Sequence, residues 1–209
     1  PHFLYNTLEN IRGRAIIDDN PLIAEMTEAL ARFFRYNISK DGDVVKPAQE
    51  IGNIETHIQI QKYRFQDRIM FQICNHAGDE MLERCRIPKM TLQPIVENAI
   101  FYGVESKTER GHIDVHINLI GQNVSIIVSD DGQGMKKEKL EELNYKIKSG
   151  SEEHRTDEKH KGTGIAMVNI NKRIQLLYGL EYGLKVSSVW NVGTEVEILL
   201  PFVQEEEGV

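Results

Sequence analysis

Residues 123–134 read NVSIIVSDDGQG. Val124, Ile126, Ile127 and Val128 run straight into two aspartates and two glycines, the pattern of a strand that closes on a turn. Taken alone, Asp130-Asp131-Gly132-Gln133-Gly134 reads as a turn. The same residues also suit a ligand. Glycine allows a close backbone approach that other residues forbid, and a carboxylate at such a turn can accept a hydrogen bond from an exocyclic amine. The flanking sequence decides between the two.

Downstream, Gly162-Thr163-Gly164 leads directly into a helical pattern at Ile165. A glycine turn at a helix start presents free N–H groups and the positive end of the dipole to an anion such as phosphate. It is not a P-loop, and it is not the dinucleotide fingerprint, because Met167 stands where the third glycine would be. Upstream, PKMTLQPIVENAIFYGV (88–104) reads as a helix ended by Gly103. It sets Glu97 and Asn98 amid Ile95, Val96, Ala99 and Ile100. An asparagine in such surroundings needs polar partners, and its carbonyl, like the neighbouring carboxylate, is a hard oxygen suited to Mg²⁺. Between the glycine clusters, residues 136–161 are highly charged and read as a helix followed by a surface loop or lid.

Further out, RIMFQICNH (68–76) reads as a strand. HIDVHINLI (112–120) alternates, with Ile113, Val115, Ile117 and Leu119 on one face. A helix over 165–178 and a hairpin of LKVSSVW and TEVEILLP around Asn191 to Gly193 complete an α/β sandwich with helices on one face. The first 66 residues differ. Leu4, Leu8, Ile11 and Ala15 form one helical stripe; a second helix starts at Pro21 behind Asn20 and turns Met26, Leu30 and Phe33 or Phe34 inward. A third starts near Pro47 with Ile51, Ile54, Ile58 and Phe65 on one face. A helical hairpin that buries its stripe against a second copy satisfies this pattern. The fold class is therefore α+β, with a helical region over 1–66 and a sandwich domain over 67–209.

The net charge of −7 supplies no basic field for nucleic acid or anionic lipid. Cys74 and Cys85 form no metal or redox motif and read as two reduced thiols. No run of 18 apolar residues and no signal peptide is present. The chain begins at Pro1 without an initiator Met and is expected to be a fragment.

The order helix with Asn, strand, D-x-G-x-G, charged lid, G-x-G, helix resembles the ATP-binding domain shared by histidine kinases, gyrase, Hsp90-type chaperones and MutL. QPIVENAI matches its N box, DDGQG its first glycine box, GTGI its second and VGTEVEILLP its closing strand. The resemblance implies a GHKL (Bergerat) fold over about 67–203 that binds Mg-ATP. Asn98 would hold Mg²⁺, with Glu97 in support. Asp130 would accept from the adenine amino group, and Thr194 would lie beside it. Gly132 and Gly134 would admit the base; Gly162, Thr163 and Gly164 would cradle phosphate under the lid. The family's N box usually continues with a basic residue and His, where this chain has Phe101 and Tyr102. Lys161 is a candidate replacement for the missing cation, and His160, beside the glycine turn, is a weaker candidate for a phosphate contact.

Hydrolytic members carry a glutamate four residues before the N-box Asn; here that residue is Pro94, which cannot act as a base. Glu97 stands about 100° around the helix from Asn98. A site that holds ATP without activating water suits transfer to a side chain, and PHFLYNTL at the N-terminus resembles the phospho-acceptor box of LytS/YesM-like sensor histidine kinases. YRFQDR (63–68) and MVNINKRIQLLYG (167–179) share that likeness. The resemblance implies a homodimeric protein histidine kinase that phosphorylates itself on His2 and passes the phosphoryl group to an aspartate of a response-regulator receiver domain. It also implies a cytoplasmic domain of an integral membrane protein whose anchor lies upstream. Asn6, one turn after His2, and Glu97 are the candidates to orient or deprotonate the ring. Two other readings stand beside this one: a nucleotide-binding or dimerising module without transfer, and a chaperone- or repair-type ATPase.

Overall fold

The computed structural model describes residues 2–39, 42–105, 107–150 and 163–202. In chain order it has α1 (His2–Ile17), α2 (Pro21–Ile38), β1 (Val44–Val45), α3 (Pro47–Phe65), β2 (Ile69–Asn75), α4 (Asp79–Arg84), β3 (Ile87–Pro88) and α5 (Gln93–Ala99). A π-helical turn (Ile100–Glu105) follows, then β4 (Gly111–Ile120), β5 (Asn123–Asp130), α6 (Lys137–Ser149), α7 (Thr163–Tyr178), β6 (Gly183–Val189) and β7 (Gly193–Pro201).

Period-two alternation gives β4 one apolar face and one polar face. Ile113, Val115 and Ile117 are fully buried, while His112, Asp114 and His116 lie on the side open to solvent. The strands run in the order β2-β4-β5-β7-β6. β2 pairs in parallel with β4, and the other pairings are antiparallel. Leu92, Ile95 and Val96 around α5, Ile147 of α6, and Val168, Ile170 and Ile174 of α7 cover the apolar face. Each such side chain contributes roughly 1.5–3 kcal/mol on burial. The expected one-sided sandwich is what forms.

α1 and α2 make the expected hairpin: the Ile23 N–H donates to Asn20 Oδ1 at 3.2 Å, and Pro21 opens α2. The inward stripe of α2 differs from the expectation. Its fully buried positions are Thr27, Ala29 and Ala31, with Met26 and Leu30 half-buried. α2 is packed between α1 and α3, and small residues let both neighbours approach. α3 sends Ile54, Ile58 and Phe65 into the core that α5 and the sheet share.

A single helix over 88–104 does not form. Ile87 and Pro88 pair as β3 with β1, α5 starts only at Gln93, and from Ile100 the helix widens into the π-turn. The cause is Glu50. This α3 residue is wholly buried, and its carboxylate accepts from the N–H groups of Met90 (2.8 Å), Thr91 (2.9 Å) and Leu92 (3.0 Å). Met90 adopts φ +62° to turn these groups inward, a left-handed conformation that costs about 1–3 kcal/mol for a non-glycine residue and is held by three charge-assisted bonds. The Tyr36 hydroxyl of α2 donates to the same carboxylate. Burial and the Glu50 charge together push that phenol far above its usual range.

Glu50→Ala removes an acceptor on which four donors converge. It should cost about 3–5 kcal/mol in urea unfolding, whereas Tyr36→Phe, which removes one donor, should cost about 0.5–1.5 kcal/mol. A Glu50→Ala loss below that of Tyr36→Phe would contradict this assignment.

Candidate active site

β5 ends and β7 begins side by side, so Asp130 stands opposite Thr194 on β7 and opposite Ile113 on β4. The Gly132 N–H donates to Asp130 Oδ1 at 2.9 Å. Burial is the main force on this carboxyl and pushes it up to about 6; the Asp131 charge adds to the rise, while the backbone N–H groups of Gly132 and Thr194 and the charge of Lys107 oppose it. Asp131 is engaged elsewhere: it accepts from the His112 N–H at 2.8 Å and pairs with Lys107 at 2.9 Å. Of the two aspartates, Asp130 is thus the one with a buried acceptor at the end of the sheet.

Two walls fix the glycine loop. The π-turn forms the first. A Cβ on Gly132 would collide with the Tyr102 carbonyl, lie 2.6 Å from Asp130 Oδ1 and 2.7 Å from the Gly103 Cα. The Gln133 N–H donates to the Tyr102 carbonyl at 3.3 Å. The β6–β7 hairpin forms the second. Gly134 has φ +64° and a Cβ there would strike the Val189 carbonyl, while the Asn191 N–H donates to the Gln133 carbonyl at 2.7 Å. Ser188 Oγ accepts from the Met135 N–H at 2.8 Å and lies 3.0 Å from Thr194 Oγ1.

Asn98 is half-buried on α5, which packs against β5. Its Nδ2 is buried and has no hydrogen-bond partner, which is costly unless something else meets that amide. Glu97 is exposed, and its Oε1 accepts from Gln93 Nε2 at 2.8 Å. Gln93 in turn accepts from Asn53 Nδ2 at 2.7 Å. A polar ladder therefore runs from α3 to the Glu97 carboxylate. His57 lies beside it: burial lowers its pKa, and the Glu97 charge partly offsets this.

The structure therefore brings Asp130, Gly132, Gly134 and Thr194 together, under the helix that carries Glu97 and Asn98. It puts His2 and Asn6 on the exposed side of α1, whose long-range hydrogen bond and ion pair go to α2. Among the described residues, no hydrogen bond, ion pair or ring contact joins His2 to the glycine loop. Thr163 and Gly164 open α7. His160, Lys161, Gly162 and the second half of the expected lid lie outside the described residues; its first half is α6, anchored by buried Leu143 and Ile147. Where the N box lacks its basic residue, Lys139 of α6 lies over the Tyr102 ring, 5.6 Å from its centre. Reading the sequence missed Gly103 as part of the wall and Lys139 as the nearby cation. Gly103 had a signal, its place at a helix end; Lys139 had none within its charged run.

Residues 88–204 match the family described as histidine kinase-, DNA gyrase B-, and HSP90-like ATPase. The chain belongs to that family. Residues 1–69 match the histidine kinase family. Sensor histidine kinase YesM of Bacillus subtilis is 34% identical over 96% of this chain and 31% of its own length. For sensor protein LytS of Oceanobacillus iheyensis the figures are 32%, 97% and 33%. The chain thus spans about a third of the length of these curated relatives, and its likeness to sensor histidine kinases holds across both halves. Among solved structures, the catalytic domain of histidine kinase ThkA has a TM-score of 0.55 at 18% identity, over 78% of this chain and 97% of that one. The histidine kinase domain of a blue-light activated kinase of Erythrobacter litoralis has a TM-score of 0.50 at 15% identity, over 97% of this chain and 96% of that one. At those identities the likeness shows the fold, including the helices that precede the sandwich.

Two glycines separate packing from ligand approach. Gly132→Ala should destabilise the chain, since its Cβ has no room. Gly164→Ala meets only Leu143 Cδ1 at 3.9 Å, so it should keep the thermal midpoint yet weaken nucleotide binding in a fluorescent-ATP titration. Unchanged binding would remove Gly164 from the site.

Asp130 also predicts a pH dependence. An ordinary Asp titrates at 3.8 and the folded Asp130 at about 6. Between these values the folded state holds the extra proton, so this residue's contribution to stability falls as pH rises. The urea-unfolding free energy of wild type minus that of Asp130→Asn should decline between about pH 4 and 6 and then level off. A flat difference would contradict the burial of this carboxyl.

Proposed function

We propose that this chain is the catalytic core of a two-component sensor histidine kinase, binding Mg-ATP and phosphorylating His2. One observation carries the reading. Asp130, opposite Thr194, sits with Gly132 and Gly134 in a tightly walled loop at the end of β5, α5 with Asn98 packs against that strand, and the place for a water-activating carboxylate is taken by Pro94.

The residues fit the nucleotide. Asp130 would accept from the adenine amino group, and Gly132 and Gly134 would keep side chains out of its way. Thr163 and Gly164 would turn the N-terminus of α7 toward the phosphates, with Gly162 and Lys161 completing that cradle. Mg²⁺ held through Asn98 would supply charge neutralisation on the triphosphate. The neutral His2 imidazole would attack the γ-phosphorus in line; a P–N bond forms as the P–O bond to ADP breaks, and the ring proton passes to a base. Asn6, one turn along α1, is placed to orient the ring, and Glu97 is the candidate base.

His2 must reach the nucleotide from a second copy or by movement of the α1–α2 hairpin. A homodimer through these helices agrees with the exposure of Ile11, Ile16, Ile17, Leu22 and Ile23 in the single chain. The phosphoryl group would then pass to an aspartate of a response-regulator receiver domain. No helix among the described residues is long and apolar enough to cross a membrane. The reading places this chain on the cytoplasmic side of a membrane sensor.

Incubation with γ-labelled Mg-ATP should give an acid-labile, base-stable label on the wild type. His2→Ala should lose it while still binding ATP, and Asn98→Ala should lose both. Label that survives His2→Ala, or steady ATP hydrolysis without label, would sink the proposal and favour an ATPase.

A further inference from the structure

The solvent-facing side of the sheet carries a second cluster, away from the glycine loop. Cys74 on β2 and His116 on β4 are register partners in the parallel ladder, so both side chains leave the sheet on the same side. His76 follows two positions after Cys74, and its own N–H donates to the Ile117 carbonyl of β4 at 2.9 Å. One ligand atom from each of the three residues lies within 4.8 Å of the other two. His76 Nε2 and His116 Nδ1 are 3.4 Å apart, with nearly parallel ring planes and centroids 5.7 Å apart. These rings meet edge to edge through their nitrogens.

We propose that Cys74, His76 and His116 form a binding site for a late first-row divalent cation of the Zn²⁺ class. Bond lengths of about 2.0–2.1 Å to nitrogen and 2.3 Å to sulfur imply ligand atoms roughly 3.3–3.6 Å apart around a tetrahedral ion. The two nitrogens already have that spacing, and the Cys74 sulfur lies within 4.8 Å of a ring nitrogen of each histidine. Two imidazoles and one thiolate select Zn²⁺ or Co²⁺ over Mg²⁺ and Ca²⁺, which take oxygen ligands. Gln72 Nε2 donates to Cys74 Sγ at 3.2 Å, a bond that supports the thiolate in the way an outer-shell partner does. The thiol gives up its proton on binding, and the fourth position is left to water.

The consequence is mechanical. β2 is an edge strand held by one parallel ladder, and a cation shared by Cys74, His76 and His116 cross-links it to β4. The site is separate from the nucleotide site: Asp130 stands opposite Ile113, three residues from His116 along β4, and the helices that complete that site lie on the other side of the sheet. Spacing along the chain could not show this cluster, because one ligand comes from a different strand.

The untagged full chain, stripped with a chelator, is titrated with Co²⁺. The site predicts one Co²⁺ per chain, with the intense visible bands of a tetrahedral ion and a near-ultraviolet thiolate charge-transfer band; Zn²⁺ should bleach both. Cys74→Ser should lose the charge-transfer band, and His116→Ala should weaken binding by about tenfold or more. His112→Ala, on the same face outside the cluster, should behave as wild type. Zn²⁺ should raise the thermal midpoint of the wild type but not that of His116→Ala, and ATP binding should be unchanged in both cluster variants. No tetrahedral bands in metal excess, or bands that survive both Cys74→Ser and His116→Ala, would overturn the site.

Discussion

The buried Glu50 carboxylate is the constraint on which the rest of the arrangement depends. It draws in three successive backbone N–H groups just before α5 and the Tyr36 hydroxyl of α2. A carboxylate with no solvent is tolerable only when its lone pairs are fully used. That requirement decides where α5 begins, and so the direction in which Asn98 points. A second set of contacts reinforces it. Lys89 Nζ donates to the Ser39 carbonyl and hydroxyl at 2.7 Å, at the end of α2, and Arg173 of α7 donates to the Lys89 carbonyl. The segment before the N box is thus tied at once to the N-terminal hairpin, to α3 and to the helix behind the second glycine cluster. These contacts connect the N-terminal hairpin to the segment that leads into α5.

The sheet separates two kinds of chemistry by its alternation. The helix-covered side holds the apolar core and, at one end, the acceptor Asp130 with its tightly walled glycines. The open side carries polar residues at the intervening positions, where a thiol and two imidazoles meet. The same period of two that buries Ile113, Val115 and Ile117 is what aligns His116 with Cys74.

Much of this was legible in the sequence because the signals were local. The alternation of 112–120, the β-branched run into DDGQG and the Asn20-Pro21 helix start each specify their own structure. What was not legible came from distant partners. Nothing around Met90 announces that its backbone turns inward, since the acceptor is a glutamate 40 residues earlier. The small residues of α2 are buried because helices pack on two of its sides, which a single stripe cannot express. The widened turn after Ile100 brings Tyr102 and Gly103 against Gly132, which is distant in the chain. At the site, Asp130, Gly132, Gly134 and Thr194 do converge, whereas His2 and Asn6 stay on the exposed side of α1.

The proposed nucleotide site joins Asp130 at the end of β5 with Asn98 on α5, which packs against that strand. A crystal structure of the chain with Mg²⁺ and a non-hydrolysable ATP analogue tests it most directly. The adenine amino group is expected within hydrogen-bond distance of the Asp130 carboxylate, the metal on the Asn98 side chain and the phosphates at the N-terminus of α7. Nucleotide bound elsewhere, or in this cleft with Asp130 and Asn98 both untouched, would contradict it.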